Sequence, residues 1–320
     1  MPLCIGKLKI PSRLILAPMA GVTDFPFRSL NRRFGCEFAF VEMINVRSLS
    51  HKSKKTKSML FSDNKDSPLG VQILGCESEY ILKGMEVLAN YKYDLLDFNS
   101  ACPAKKIVRR HEGSYLMRTP KKLAKLLKLV VKNSKVPVTV KIRSGWDKDS
   151  INAADVALAC QDAGVSCVFM HGRSRMQEYS GNVDYKIIKQ TKKVLQIPLV
   201  ASGDIFDARL AKKMFDETGC DGLAVARGAL GNPWLFNQIG KYLDKGILID
   251  QPKVEEIKKV MREHLDGCVK FYNAKPAVII FRKFFVWYTK GLRDIRKIRQ
   301  DAMSITSLDK MQKIIDGLEE

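Results

Sequence analysis

No run of about 18 or more consecutive apolar residues occurs in these 320 residues, so none can form a membrane-spanning helix. The start, Met1-Pro2-Leu3-Cys4-Ile5-Gly6-Lys7, lacks the apolar core and small-residue cleavage site of a secretory leader. Eight cysteines (Cys4, Cys36, Cys76, Cys102, Cys160, Cys167, Cys220, Cys268) are spread singly, with no C-x-x-C pair. That spacing argues against a disulfide framework or a zinc site and predicts reduced thiols in a cytoplasmic protein. Histidine is scarce too: there are four, none in a metal-ligand pairing, so no metal is expected. Acids fall short of bases, 34 against 55, leaving a net charge of +21. Such an excess suits either lysine-rich solvated faces or a polyanionic partner, and the total alone leaves the two even.

What is present is alternation. With 46% apolar residues the chain can bury a large core, and one large domain with a small one is the expected count. Eight short apolar runs predict strands at 13–17, 38–43, 70–74, 94–99, 137–143, 167–171, 198–202 and 222–226. The stretches between them are long enough for helices and carry start signals: Ser78 before Glu79, Thr119-Pro120 before 121–132, and Asp149-Ser150 before 151–163. Gly164 stands where that last helix should stop. Strand–helix alternation repeated eight times predicts an α/β fold, a (β/α)8 TIM barrel over 1–243. The alternative, a doubly wound open sheet, lacks a G-x-G-x-x-G after an early strand. Residues 244–253, with Gly246, Asp250 and Pro252, read as a linker. In 254–320 the apolar residues recur at helical spacing, Ile257, Val260, Met261, His264 and Leu265 in one stripe and Val278, Phe281, Phe285 and Tyr288 in another, predicting a small helical domain.

Polar residues gather at the carboxyl ends of the predicted strands, where α/β barrels place their chemistry. In order they are Pro18-Met19-Ala20, Glu42, Gln72, Asn99 with Cys102, Lys141 with Arg143, His171, Ser202-Gly203-Asp204, and Ala226-Arg227-Gly228. Asn99-Ser100-Ala101-Cys102-Pro103 sets a thiol at the mouth of a buried strand and is the most informative segment of the chain. Lys141 and Arg143 share one face of their strand, because side chains alternate with period two, and two inward cations need anionic or carbonyl partners. The glycine-rich ends of strands 7 and 8 suit a phosphate. A lone histidine is usually a satisfied core residue, and a strand can end in exposed lysine; the common end is what raises His171 and Lys141 above that reading.

Five ordered motifs resemble the dihydrouridine synthases, especially their bacterial B-type branch. They are Ala17-Pro18-Met19-Ala20-Gly21-Val22-Thr23-Asp24; Asn99-Ser100-Ala101-Cys102-Pro103; His171-Gly172-Arg173-Ser174-Arg175 with Gln177 and Tyr179-Ser180-Gly181; Ser202-Gly203-Asp204-Ile205; and Ala226-Arg227-Gly228-Ala229-Leu230-Gly231-Asn232-Pro233-Trp234. Arg282-Lys283, Trp287-Tyr288 and Gly291 resemble the family's helical domain. The chain departs from the usual pattern at His111-Glu112, where two glycines are usual, at Ser202, where Asn is usual, and at Ala226, where Gly is usual.

The resemblance implies an enzyme that reduces uridine to 5,6-dihydrouridine in tRNA. FMN would lie across the barrel top against Pro18, Met19, Ala20, Gln72, Lys141, His171, Ser202, Gly203, Asp204, Ala226, Arg227 and Gly228. NADPH or NADH would be the reductant. Hydride would pass from flavin N5 to uracil C6 and a proton from Cys102 to C5, with Asn99 and Arg143 on the uracil carbonyls. A uridine in folded RNA must be flipped out to reach a barrel mouth. The charge agrees with an RNA partner. Residues 281–299 carry Arg282, Lys283, Lys290, Arg293, Arg296, Lys297 and Arg299 against Asp294 alone, and 47–57 carry Arg47, Lys52, Lys54, Lys55 and Lys57 with no acid. A solvated face would mix signs. Arg282 and Lys283 are the expected RNA contacts. Two other readings compete: a barrel flavoenzyme acting on a free pyrimidine, like dihydroorotate dehydrogenase, which would not need the basic tail, and a catalytically weak RNA-binding protein, which would not need Cys102, Lys141, Arg143 and His171.

Overall fold

Short apolar runs bounded by turn residues become strands buried on both faces, as parallel sheets require. The computed structural model describes residues 2–51 and 53–319, without the side chains of Lys54 and Lys55, so of the expected basic positions Lys52 and the side chains of Lys54 and Lys55 lie outside what is described. A hairpin of β1 (Leu3–Ile5) and β2 (Leu8–Ile10) leads into β3 (Leu14–Leu16), β4 (Phe38–Phe40), β5 (Ile44–Asn45), β6 (Leu69–Leu74), β7 (Leu95–Asn99), β8 (Val138–Arg143), β9 (Cys167–His171), β10 (Leu199–Ser202) and β11 (Gly222–Val225). From β3 onward all pairings are parallel, and β4 joins β6 while β11 joins β3, which closes eight strands into the expected barrel.

The strands differ from expectation in two places. The second strand stops at Phe40 instead of running to Met43. Its chain leaves the ladder so that Glu42 reaches the Gly21 N–H and Met43 reaches Asn99, then rejoins β6 as β5 through Ile44↔Ile73. The N-terminal hairpin was not foreseen. Its Leu3, Ile5 and Ile10 pack with Ile15, Phe38, Phe40, Leu95 and Phe169 inside the barrel. Phe40 lies edge-on to Phe38 at 5.2 Å and to Phe169 at 5.6 Å. This plug fills the barrel interior below the strand carboxyl ends and leaves that mouth for chemistry.

The outer helices start and stop where side chains satisfy their free backbone groups. Asp24, Asp184 and Asp207 accept N–H groups of Phe27, Ile187 and Leu210 and cap the helices Phe25–Arg33, Tyr185–Val194 and Ala208–Thr218. Pro120 opens Pro120–Asn133 as expected. The helix expected from Ile151 begins at Ala153, because Ile151 bridges to Gly145 and the Ser144 carbonyl holds the N–H groups of Asn152 and Ala153. Helix Leu235–Lys245 ends on Gly246 at φ 70°, so the stretch expected to link from 244 starts at Gly246.

Helices Val254–Tyr272, Ala274–Tyr288, Ile295–Ser304 and Leu308–Asp316 follow. Val260, Met261, His264 and Leu265 are buried as the stripe predicted, with Ile257 half-buried, and Val278, Phe281, Phe285 and Tyr288 are buried with them. This region shares one apolar cluster with the barrel's helical layer. Phe284 stacks on Phe27 at 5.5 Å, Tyr272 donates to Asp24 Oδ2 at 2.9 Å, and Trp234 Nε1 donates to Glu256 at 2.6 Å. Among the described residues no helix is long and apolar enough to cross a membrane.

Candidate active site

The carboxyl ends of the strands enclose a cavity of about 400 Å³, within the range of small-molecule sites. All twelve residues expected to hold a cofactor line it, from Pro18, Met19 and Ala20 through Gln72, Lys141, His171, Ser202, Gly203 and Asp204 to Ala226, Arg227 and Gly228. Cys102, Asn99 and Arg143 line it too. Lys283 borders the adjoining groove with Ala20 and Gly21. Arg282 is not brought to either. Its guanidinium donates to Ile305 O at 2.8 Å and Ser304 O at 3.3 Å, tying down the end of helix Ile295–Ser304.

The thiol is held by its neighbours' main chain. Asn99 Oδ1 accepts the N–H groups of Ala101 and Cys102, both at 2.9 Å, which turns the chain sharply out of β7. Arg143, at the end of β8, donates from Nε to Ala101 O at 2.7 Å and from Nη1 to Ser174 O and Glu178 O, both at 2.8 Å. The Cys102 carbonyl takes the Ser114 N–H and hydroxyl at 3.1 and 2.9 Å. Burial pushes the Cys102 thiol up, against the Ala104 N–H and Arg143, and Glu112 adds to the rise. The thiol is therefore a proton carrier at neutral pH rather than a ready thiolate. His111, the nearest histidine in sequence, lies against Tyr115 at 4.3 Å.

A buried chain of polar groups runs behind it. Thr139 and Gln72 donate to Asp97 at 2.6 and 2.7 Å, and Asn99 Nδ2 donates to Gln72 Oε1 at 2.7 Å. Burial pushes the Asp97 carboxyl up to about 6 despite those bonds and the charge of Lys141. Lys141 Nζ donates to Ser202 Oγ at 3.1 Å. Burial lowers its ammonium to about 8, with Asp97 opposing and Arg143 adding. Ser202, where the amide of Asn is usual in the family it resembles, is thus the direct partner of the cavity lysine. Ser202 Oγ also donates to Met170 O at 3.2 Å and lies 3.4 Å from His171 Nδ1. Burial, and then the cations Lys141, Arg143, Arg173 and Arg227, lower His171 to about 2, so its ring is neutral. Its Nε2 is buried without a partner among the described residues.

At the far end Asp204 fixes the cations. Arg173, buried, bonds Asp204 and the carbonyls of Ser180 and Gly181, and Arg227 bonds Asp204 Oδ1 at 2.8 Å. Arg227 lies between the rings of Tyr179 and Phe206, 5.0 and 5.7 Å from their centroids. Gly203, at φ 129°, would set a Cβ 2.6 Å from Val183, and a Cβ at Gly228 would stand 1.9 Å from Ile205 O. Neither position accepts a side chain. On the opposite wall, Glu42 accepts the Gly21 N–H and Lys283 donates to the Gly21 carbonyl, so Gly21 is gripped through the peptide groups on both of its sides.

Sequence reasoning missed Asp97, Met43 and Phe206. Asp97 was detectable: it lies two residues before Asn99 and so on the same face of β7. Met43 falls inside the expected strand 38–43 and Phe206 follows Ile205 beyond β10, apolar residues that give no such signal.

The dihydrouridine synthase (Dus) family model matches residues 15–318. A tRNA-dihydrouridine synthase B of Pasteurella multocida is 34% identical over 98% of this chain and 94% of its own length. A probable tRNA-dihydrouridine synthase of Rickettsia bellii is 39% identical over 92% of this chain and 91% of its own. Among solved structures, an old yellow enzyme homologue from Zymomonas mobilis overlays with a TM-score of 0.54 at 12% identity, covering 78% of this chain and 94% of that one. The amine oxidase HisD from Pseudomonas geniculata N1 gives 0.59 at 14%, covering 76% and 49%. These two likenesses concern the fold alone.

Proposed function

The chain belongs to the dihydrouridine synthase family, and from that premise we propose that it reduces uridine to 5,6-dihydrouridine in tRNA, using bound FMN and a proton from Cys102. The observation that carries this reading is the joining, in one cavity, of a thiol kept protonated by burial with a lysine that has donors to spare.

The cavity suits a flavin. His171 Nε2 is a buried polar atom without a partner among the described residues, and Lys141 spends one of its three donors on Ser202. Both call for a ligand rich in hydrogen-bonding groups, such as the pyrimidine edge of an isoalloxazine ring, which Gln72 also borders. Arg227, steadied by Asp204 between Tyr179 and Phe206, with the bare backbone at Gly203 and Gly228, suits a single phosphate. Met19 and Ala20 would cover the ring. Bound there, the flavin supplies the hydride that uracil accepts at C6, and NADPH or NADH restores it.

The chain's own residues do the rest. Cys102 gives its proton to C5 of the ring, and Asn99 and Arg143 hold its loop so that the sulfur stays in the cavity. Arg143 remains charged, lowered by burial only to about 10, beside the place where negative charge gathers on sulfur and on the uracil carbonyls. The target base is flipped into this mouth, and the phosphates around it fall to the exposed Lys290, Arg293, Arg296 and Lys297 of the helical region 254–320, acting as an RNA-binding domain beside the catalytic barrel 1–243. Lys283 borders the groove between the two and completes that track. The eight free cysteines fit work in the reducing cytoplasm.

The test is to map dihydrouridine in RNA from cells with and without the protein, and to treat unmodified tRNA with the purified protein and NADPH. Loss of specific dihydrouridines and their return in vitro are expected. RNA unchanged in both experiments would refute the reading.

A further inference from the structure

Behind Cys102 the loop closes on itself. Its back wall is Glu112-Gly113-Ser114, where Ser114 donates twice to the Cys102 carbonyl. Gly113, at φ 60°, lies so near that an added Cβ would stand 2.8 Å from that oxygen and 3.1 Å from Cys102 Cβ. His111, just before, sits at φ 61°, a backbone that glycine takes freely and other residues only under strain. Glu112 is only 6% exposed and accepts from Asn45 Nδ2 at 3.1 Å. Asn45 ends β5 and is itself fixed, because its Oδ1 accepts the Arg47 N–H at 3.0 Å. Glu112 thus ties the loop after β7 to the strand beside β6. Arg47, the cation on that side, pairs with Glu77 at 2.9 Å instead. A carboxylate held in this way against a neutral amide is costly, and apolar packing would anchor the wall more cheaply.

We propose that Glu112 is a positioning residue for Cys102: anchored on Asn45, it fixes the Glu112-Gly113-Ser114 wall that carries the thiol, and sets a carboxylate on that wall. The inference rests on the reading of Cys102 as proton donor. The charged and titratable groups around the pair are Arg143 facing Cys102, and Arg110, Arg47, Glu77 and Cys76 around Glu112. Burial is the first cause of the thiol's rise; the Ala104 N–H and Arg143 oppose it, and Glu112 adds to it.

The experiment uses the full-length, flavin-loaded protein with Glu112→Gln and Glu112→Ala. Gln keeps an acceptor for Asn45 and removes the charge; Ala removes both. Iodoacetamide alkylation of Cys102 is followed against pH by peptide mass spectrometry, which scores Cys4 and Cys76 separately. With Glu112→Gln the thiol should titrate at lower pH, so that alkylation at a fixed neutral pH quickens about 3- to 10-fold. Oxidation of the pre-reduced flavin by unmodified tRNA should fall about tenfold or more in Glu112→Ala. Glu112→Gln should restore most of that rate near neutral pH, with its alkaline decline beginning earlier. Flavin content and flavin reduction by NADPH should not change. Alkylation and tRNA-dependent oxidation matching the wild type in both variants at every pH would overturn the proposal. Should Glu112→Ala fail to fold, an unshifted alkylation profile in Glu112→Gln overturns it by itself. A wild-type flavin that tRNA never oxidises would refute the uridine reading, while the alkylation arm still decides on Glu112.

Discussion

Replacing Lys141 by Met removes a half-buried cation whose one direct partner among the described residues is a serine hydroxyl. If its spare donors bind the flavin's pyrimidine edge, the loss is that of a hydrogen bond to a charged group, about 1.5–3 kcal/mol. At 1.4 kcal/mol per factor of ten, flavin affinity should drop about 10- to 150-fold. The sign of the pH effect follows from the lysine's depressed value of about 8 in the ligand-free protein. Below that pH Lys141 is charged and affinity is full; above it the cation is lost and wild-type affinity should decline, toward the level of Lys141→Met. The same depression means that the charged lysine burdens the empty fold at pH 7, and that the burden eases as pH rises past about 8. Lys141→Met should therefore melt no lower than wild type without flavin, yet lower with it. The assay is titration of the flavin-free protein with FMN, read by quenching of flavin fluorescence, between pH 6.5 and about 9.5, a range chosen to bracket the lysine's titration. Equal affinities for the two proteins, or a wild-type affinity flat across pH 8, would refute the assignment of Lys141.

Gly228→Ala forces a methyl to within 1.9 Å of Ile205 O unless the backbone moves, so the purified variant should lose its flavin absorbance and about 1–3 kcal/mol of stability, measured by denaturant unfolding. Reversing Lys290 and Arg293 together, both exposed, should weaken tRNA binding and lower the log–log salt slope by roughly 0.7–0.9 for each phosphate no longer neutralised, with flavin reduction unchanged. Arg282→Ala serves as the contrast: it frees the Ile305 and Ser304 carbonyls and should lower stability more than the salt slope.

The barrel was legible because its strands are buried on both faces and read as apolar runs with polar residues at one end. The site was legible for the same reason: Gln72, Asn99, Lys141, His171 and Ser202 interrupt otherwise apolar strands near a common end. The hairpin of β1 and β2 was not, since two three-residue strands around Gly6 carry no periodicity to count. The end of β4 escaped notice because Val41 still bonds Gly70 O, and only the reach of Glu42 to Gly21 turns the chain away. Arg282 was read as an RNA contact by its charge, yet its carbonyl partners lie more than twenty residues away, at a helix end that no local pattern places. Asn99 and Arg143 line the mouth, but their commitment to the Cys102 loop depends on main-chain N–H and carbonyl groups that a side-chain pattern does not show.

In the proposed reaction Cys102 hands a proton to a tRNA uridine as that base takes up the flavin's hydride. The most direct measurement mixes anaerobically reduced protein with unmodified tRNA and follows the return of oxidised-flavin absorbance, for wild type and Cys102→Ala, with dihydrouridine measured in the recovered RNA. Wild type should oxidise in a single phase and form dihydrouridine. Cys102→Ala, with the same flavin content and the same reduction by NADPH, should oxidise about 10²–10⁴-fold more slowly. A variant as fast as wild type, or a wild-type flavin that tRNA leaves reduced, would contradict the account.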